Sequence, residues 1–449
     1  MKALWLLVVV ILTSGQASAA GLPADVRSVL ADEPQVRLVV LLNVAEDELR
    51  GPVAGREQAI AEAGEEVLAD LGEALTVHHR FIRVEALAVT VNAAGAHALA
   101  AHPRVRAIST DPGGFGHLDV SLPLVRVLPM HDFSQPPGGL RGQGMKVAVI
   151  DTGLESGNAD FADQLVDEAC FCLAGGSGCC PNGGTTQFGE GAAADDHGHG
   201  TWVTGSMMSR GANAPIGPAP EATVVSVKVL DSNNSFCCAS DVTAAFDWLA
   251  VNHADLAIVN ASLGTGALFA GVCDASTVWL QAMWSAVQAV NDNGALVVAS
   301  TGNQASATGI AAPTCLSNVL AVGATWKQDF EGSFSPFGCN HVDPREDEVA
   351  CFSNASAQVD VLAPGTLIAT SGLGETTVAV YGTSFSSPIT AGCATLLRQL
   401  QPGWSVAELR AALTTSGIVV EDTRNGLMFP RLDCLATINR IFADRLQGQ

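Results

Sequence analysis

"KVAVIDTG", Lys146–Gly153, runs four apolar residues from Val147 to Ile150 into an aspartate and a glycine. Nothing in it alternates. A strand with one wet face reads apolar-polar-apolar; an unbroken apolar run means both faces are covered, the condition of a parallel strand between layers of helices. The same pattern returns downstream in "TVVSVKVLD" (223–231), "LAIVNAS" (256–262), "ALVVAS" (295–300), "NVLAVGAT" (318–325) and "VDVLAPG" (359–365). Between these runs "SDVTAAFDWLAVN" (240–252) and "STVWLQAMWSAVQAVNDNG" (276–294) have helical spacing. Strands and helices in alternation predict an α/β domain with a mostly parallel central sheet flanked by helices. In "WSVAELRAAL" (404–413), Ser405 and Glu408 predict a capping box on a late helix.

Upstream the texture differs. "QVRLVVLLN" (35–43) reads as a strand and "REQAIAEAGEEVLADLG" (56–72) as a helix ending on Gly72. "HHRFIRVEALAVTVN" (78–92) reads as one long strand or a hairpin, "AAGAHALAAH" (93–102) as a helix and "RVRAIST" (104–110) as a strand. The order β-α-β-β-α-β suggests a small ferredoxin-like sandwich. Residues 112–140 are punctuated by "DPGGFGHL" and "SQPPGGLRG" and read as a linker. The glycines of "GGLRGQG" (138–144) precede a strand rather than following one, so they are no dinucleotide fingerprint.

Of the 449 residues, 48% are hydrophobic and 15% charged, so the chain can bury a sizeable core. Its net charge of −23 argues against nucleic acid and anionic membranes as partners. "MKALWLLVVVILTSGQASAAGLP" (1–23) has a basic start, an apolar run too short to span a bilayer and an Ala17-Ser18-Ala19 cleavage pattern. It predicts a signal peptide over 1–19, secretion to the outside or the periplasm, and no membrane span in the mature chain. Twelve cysteines, none before Cys170, then predict disulfides. Cys237 and Cys238 are adjacent and are expected to pair with members of the cluster Cys170, Cys172, Cys179 and Cys180, although spacing alone does not fix connectivity. Cys393, in an apolar helix, reads as a buried thiol. Asn233-Asn234-Ser235 and Asn354-Ala355-Ser356 are glycosylation sequons.

Three polar residues stand where chemistry is expected. Asp151 lies where a strand runs out, His199 between the glycines of "DDHGHGTWVTG" (195–205), and Ser384 in "GTSFSSP" (382–388) at the mouth of an apolar helix. Each alone has an ordinary reading: a turn, a loop residue, an N-cap. Together an acid, a base and a hydroxyl in one α/β domain are the ingredients of an activated nucleophile. His197 and His199 also form a His-x-His pair, which a zinc hydrolase could use, but no third ligand stands near at recognisable spacing.

The extended motifs resemble those of the subtilisin-like serine proteases. "VAVIDTGLESGNADF" (147–161) resembles the family's Asp motif, "GHGTWVTG" (198–205) its His motif and "GTSFSSPITAG" (382–392) its Ser motif, in the chain order Asp, His, Ser. "VVASTGN" (297–303) resembles the segment carrying the oxyanion Asn, and "VNASLG" (259–264) the substrate-binding strand. The likeness runs from about 143 to 435 and implies a secreted serine endopeptidase acting on proteins or peptides. In that reading Ser384 attacks, His199 is base and then acid, Asp151 orients it, Asn303 serves the oxyanion hole, and Ser262, Leu263, Gly264 and Gly302 bind substrate. Residues 20–111 would be an inhibitory and chaperoning propeptide, 112–140 would hold the autocleavage point and the start of the mature chain, and 141–449 the peptidase domain. The resemblance implies no required cofactor. It offers Asp160 as one position matching a ligand of a structural calcium, and it suggests the bridge Cys273–Cys315; a Cys339–Cys351 bridge would close an inserted loop. Trp202 departs from the family's histidine. Pro388 lacks an N–H, so the carbonyl of Ser384 is expected to lose its helical partner and free the first turn.

Overall fold

A computed structural model describes residues 21–439 apart from 46–47, 49–52, 73–74, 81–84, 111–117, 133–138, 175–176 and 416. The signal-peptide reading over 1–19 lies outside the described residues. The chain divides into two compact units, Met1–Gly114 and Phe115–Gln449.

In the first unit, α1 (Ala24–Asp32) precedes β1 (Gln35–Leu42), α2 (Val53–Leu71), β2 (Leu75–Arg80), β3 (Ala86–Asn92), α3 (Ala93–Ala101) and β4 (Val105–Thr110). The strands form one antiparallel sheet in the order β2-β3-β1-β4. Val36, Leu38, Val40 and Leu42 alternate onto its buried face, which packs with Ile60 and Val67 of α2 and Leu99 of α3.

The second unit is built on an eight-stranded sheet. Its strands are β5 (Lys146–Asp151), β6 (Leu165–Phe171), β7 (Thr186–Phe188), β8 (Thr223–Lys228), β9 (Ile258–Ala261), β10 (Leu296–Ser300), β11 (Leu320–Thr325) and β12 (Val361–Pro364). Their order is β12-β11-β10-β9-β5-β8-β6-β7, with every pair parallel except β6–β7. Strand order reverses at β5: β6 and β8 are added on one side, and β9 to β12 on the other. In open parallel sheets such a switch point opens a crevice beyond the carboxyl ends of the strands. Register fixes what lines it. Lys228 pairs with Asp151, and Ala261 pairs with both Ile150 and Ala299, so the ends of β8, β5, β9 and β10 are level.

The unbroken apolar runs fill a core on each face. Val147 and Val149 of β5 point into one, Ala148 and Ile150 into the other. The first core holds α6 (His199–Met208) and α9 (Thr383–Leu400); the second holds α7 (Ala239–Asn252) and α8 (Val278–Asp292). Helix α9 is buried along its length, Thr383 to Arg398. Ile389, Leu396 and Leu397 are fully buried, each worth roughly 1.5–3 kcal/mol, which outweighs the roughly 3 kcal/mol that Pro388 costs inside a helix. The late helix α10 (Val406–Thr414) carries the expected capping box from Ser405 and Glu408.

The stretch 112–140, read from its glycines and prolines as a linker, is more than that. Residues Leu118–Leu124 (α4) and Leu128–His131 (α5) are helical, and Leu122, Val125, Val127 and Met130 lie in the first core. Arg126 donates to Asp433 at 2.8 Å, and the Cys434 N–H to the Val125 carbonyl at 2.9 Å. The Gly and Pro clusters flank this segment; the apolar residues between them decide its fate.

All twelve cysteines are paired. Cys273–Cys315 agrees with the resemblance, and Cys339–Cys351 closes the inserted loop as expected. Three expectations are corrected. The first cluster closes on itself as Cys170–Cys180 and Cys172–Cys179, because two short strands, Leu173–Ala174 and Ser177–Gly178, fold it back as a hairpin. Cys237 and Cys238, with no partner left there, bond to each other. Cys393 is joined to Cys434 rather than being a free thiol.

Close packing at Gly205 sets the seat of α6. A Cβ there would stand 2.5 Å from Thr370 Oγ1 and 2.8 Å from the Ser371 nitrogen. Gly205→Ala is expected to cost about 1–3 kcal/mol through overpacking, read as a lower denaturant midpoint at unchanged m-value.

Candidate active site

Asp151 ends β5 and is buried to 1% exposure. Its Oδ1 accepts from the Thr152 N–H at 2.7 Å and lies 2.7 Å from His199 Nδ1. Its Oδ2 is buried without a hydrogen-bond partner among the described residues, so the carboxylate charge is turned on the imidazole.

His199 opens α6 behind Gly198, whose φ of 109° only glycine adopts without strain. The helix start is organised by Asp195. Its carboxylate accepts from the N–H groups of His197, Gly198 and Thr201 and from the hydroxyls of Thr152 and Thr201, at 2.7–3.1 Å. Burial pushes the Asp195 pKa up, but these donors outweigh it and hold it below the ordinary value. For His199 burial works against the charged form, yet Asp151 beside it, with a further contribution from Asp195, raises the imidazole pKa. Trp202 and Phe385 place their rings 6.1 and 5.7 Å from the His199 ring and screen it from water. The His199 N–H donates to His197 Nδ1 at 3.2 Å. The one cluster of potential metal ligands among the described residues is Cys237, Cys238 and Asp241; it includes neither His197 nor His199, and its two sulfurs are bonded to each other.

Ser384 is the second residue of α9. The sequence expectation for Pro388 holds in part. The helix is not unwound, but the Ser384 carbonyl accepts from the Ser262 hydroxyl at 2.7 Å instead of from a helical N–H. Ser262 Oγ in turn accepts from Asn260 Nδ2 at 3.0 Å, and Asn260 Oδ1 from the Ser387 hydroxyl at 2.6 Å. All four residues are buried. The Ser384 hydroxyl lies 3.4 Å from the Ser262 carbonyl, so the two residues clasp each other.

Asn303 stands beyond β10. Its Oδ1 accepts from both the N–H and the hydroxyl of Thr383 at 2.9 Å. An N–H can only donate, which fixes the amide oxygen there and turns Nδ2 away from Thr383. The turn carrying it is held by buried Asn354, whose Oδ1 accepts from the N–H groups of Gln304 and Ser306 and whose Nδ2 donates to the Thr301 carbonyl at 3.0 Å. Asn354 begins a sequon, yet it is sealed inside the fold; Asn233 of the other sequon is exposed.

His199, Ser384, Asn303, Ser262, Leu263, Gly264 and Gly302 line one cavity of about 620 Å³, with Asp151 behind His199. An acid-paired imidazole, a hydroxyl and an oriented amide donor around one void are equipped for attack on a carbonyl. Asp160 lies elsewhere. Its carboxylate accepts from the N–H groups of Ala212, Asn213 and Ala214 and from the Ser371 hydroxyl at 2.8–3.0 Å. Four donors fill the lone pairs a cation would need, so this residue does not fit a calcium site and acts as a loop clamp. Sequence reasoning missed Thr152, Thr383, Asn260, Ser387 and Phe385. The hydroxyl of the Gly-Thr-Ser motif was a signal for Thr383; the others show only once the strands are in register.

Residues 142–432, well over half of the chain, match the family model described as the subtilase family. Subtilisin Savinase from Lederbergia lenta is 30% identical over 286 residues, 64% of this chain and 87% of that protein. Alkaline elastase YaB from Bacillus sp. (strain YaB) is 28% identical over 381 residues, 83% of this chain and 82% of that protein. That match is too long to fit within 142–432 and reaches upstream of it. In fold, the chain is similar to the crystal structure of a cold adapted subtilisin-like serine proteinase, with a TM-score of 0.52 at 24% identity over 70% of this chain and 97% of the other.

Ser262→Ala leaves the Ser384 carbonyl buried and without that donor. The expected cost is about 1–3 kcal/mol in urea unfolding. An unchanged midpoint would show that this carbonyl needs no partner.

Proposed function

Since this chain belongs to the subtilase family and is a serine-type endopeptidase acting on proteins, we propose that Ser384 is its nucleophile, His199 its base and acid, Asp151 the orienting carboxylate and Asn303 an oxyanion donor. Ser384 Oγ attacks the scissile carbonyl while His199 accepts its proton. The imidazolium that forms is stabilised by Asp151 at Nδ1, and the proton then passes to the leaving amine. Negative charge on the tetrahedral oxygen meets Asn303 Nδ2 and the first N–H groups of α9. Losing such an amide typically costs ~10²–10³ in turnover, a size measured on subtilisin itself. Ser262, Leu263, Gly264 and Gly302 receive the substrate main chain. This chemistry needs no cofactor. The observation that carries the reading is the 2.7 Å contact between Asp151 and His199 at a cavity shared with Ser384 and Asn303.

The enzyme is made as a secreted precursor in this proposal. The leader pattern at 1–19 and six disulfides support export to an oxidising compartment. The first unit acts as a folding aid for a slow, non-local parallel sheet and as an intramolecular inhibitor until cleavage between about 112 and 125. Among the described residues no helix is long and apolar enough to cross a membrane.

Wild type is expected to label at Ser384 with a fluorophosphonate and to appear shorter than Ser384→Ala by about the mass of the first unit. Equal lengths would reject self-processing; absent labelling would reject the nucleophile. Because the His199 pKa is raised, its neutral, reactive form appears only above the ordinary imidazole range. The acid limb of kcat/KM should therefore lie above pH ~6.5. Asp151→Asn should shift that limb down and lower kcat about 10⁴-fold. The same raised pKa means that protonated His199 stabilises the fold fully below the unfolded imidazole value, a contribution lost as pH climbs through the folded one.

A further inference from the structure

Among the described residues, the cavity around Ser384 is uncharged apart from His199: no aspartate, glutamate, lysine or arginine lines it, although the chain carries −23. Three aromatic residues line it, Phe236, Trp279 and Phe337, and of these Phe337 alone is exposed. Phe337 is 52% exposed and lines the cavity. Its φ of 51° and ψ of 27° put a bulky residue in the left-handed region, a genuine outlier. The fold holds it there. Its ring meets Phe352 at 5.5 Å and Tyr381 at 5.4 Å, both edge-on, and two residues later Cys339 is bonded to Cys351, the neighbour of Phe352. Tyr381, three residues before Ser384 and 39% exposed, is braced by Phe334 at 5.2 Å, and Phe334 by buried Trp326 at 5.2 Å. A file of aromatic rings thus runs from the core to the reactive cleft and ends on a ring that buries little in the fold itself.

We propose that Phe337, backed by Tyr381, is a specificity-determining residue that receives a large apolar side chain, aromatic by preference, at one position of the peptide substrate beside the scissile bond. This rests on the endopeptidase reading above and deepens it. An edge-to-face contact with a substrate ring, added to burial of the exposed Phe337 surface, favours such a side chain over alanine. Gly302 leaves the adjoining flank without a side chain, and neutral Gln304 offers no counter-charge for a basic one. The half of the Phe337 ring that the fold leaves exposed is suited to a partner that arrives with apolar surface of its own.

The test is a mixed peptide library cut by the mature enzyme and read by mass spectrometry, followed by paired peptides differing only in Phe or Ala at the enriched position. Wild type is expected to prefer Phe by roughly tenfold or more in kcat/KM. Phe337→Ala should bring that ratio toward one, Tyr381→Ala should lower it, and Phe337→Tyr should retain it. Fluorophosphonate labelling of Phe337→Ala at Ser384, at whatever rate, shows that the variant is folded. If it does not fold, the wild-type library decides: no enrichment of bulky apolar residues at any position overturns the inference. A ratio unmoved in labelled Phe337→Ala also overturns it while leaving the endopeptidase reading intact. Wild type that never labels refutes that reading instead.

Discussion

The second unit turns on one hydroxyl. Pro388 deprives the Ser384 carbonyl of its helical donor, and Ser262 supplies the replacement at 2.7 Å. Without it a buried carbonyl would stand unpaired beside the Ser384 hydroxyl. With it, the end of β9 is tied to the start of α9, two elements 122 residues apart in the chain. Asn260 and Ser387 close the circuit between strand and helix. In the proposed reading Ser262 both receives substrate and fixes the nucleophile. A substrate strand laid along β9 would then be positioned by the residue that positions Ser384, which would leave little slack between binding and attack.

A second constraint is electrostatic. Two carboxylates, Asp151 and Asp195, sit close to one imidazole yet are held differently. Asp195 is saturated by amides and hydroxyls and serves the helix start; Asp151 turns one oxygen to His199, and its other oxygen has no partner among the described residues. The difference follows from place. Asp195 lies in a loop rich in N–H groups, whereas Asp151 ends a strand whose own groups are committed to the sheet. Asp160 is a third variation: the same residue type, wrapped by three successive amides, has become scaffold.

Much of this was legible beforehand. Unbroken apolar runs announced the parallel sheet because burial on both faces leaves no room for alternation. Asp151, His199, Ser384 and Asn303 were legible because backbone geometry around them demands Gly, Thr and Pro at fixed offsets. What escaped depends on tertiary context. The apolar segment 118–131 was hidden by flanking turn residues, and the Cys237–Cys238 bond by an expectation about pairing that the closed hairpin of the first cluster removed. Asn260, Ser387 and Phe337 carry no local signature; their partners lie far off in sequence, and only the register of strands or the anchoring of a loop brings them to the cleft.

Buried Asn354 carries a consequence for whoever makes the protein. Its amide is an acceptor for carbohydrate in cells that decorate Asn-X-Ser as the chain emerges, and at that moment nothing yet shields it. A sugar fixed there would occupy the nitrogen that must later reach Thr301, so the turn presenting Asn303 could not close. A eukaryotic secretory line would thus set oligosaccharide transfer racing against folding, while a bacterial producer without that machinery meets no such contest.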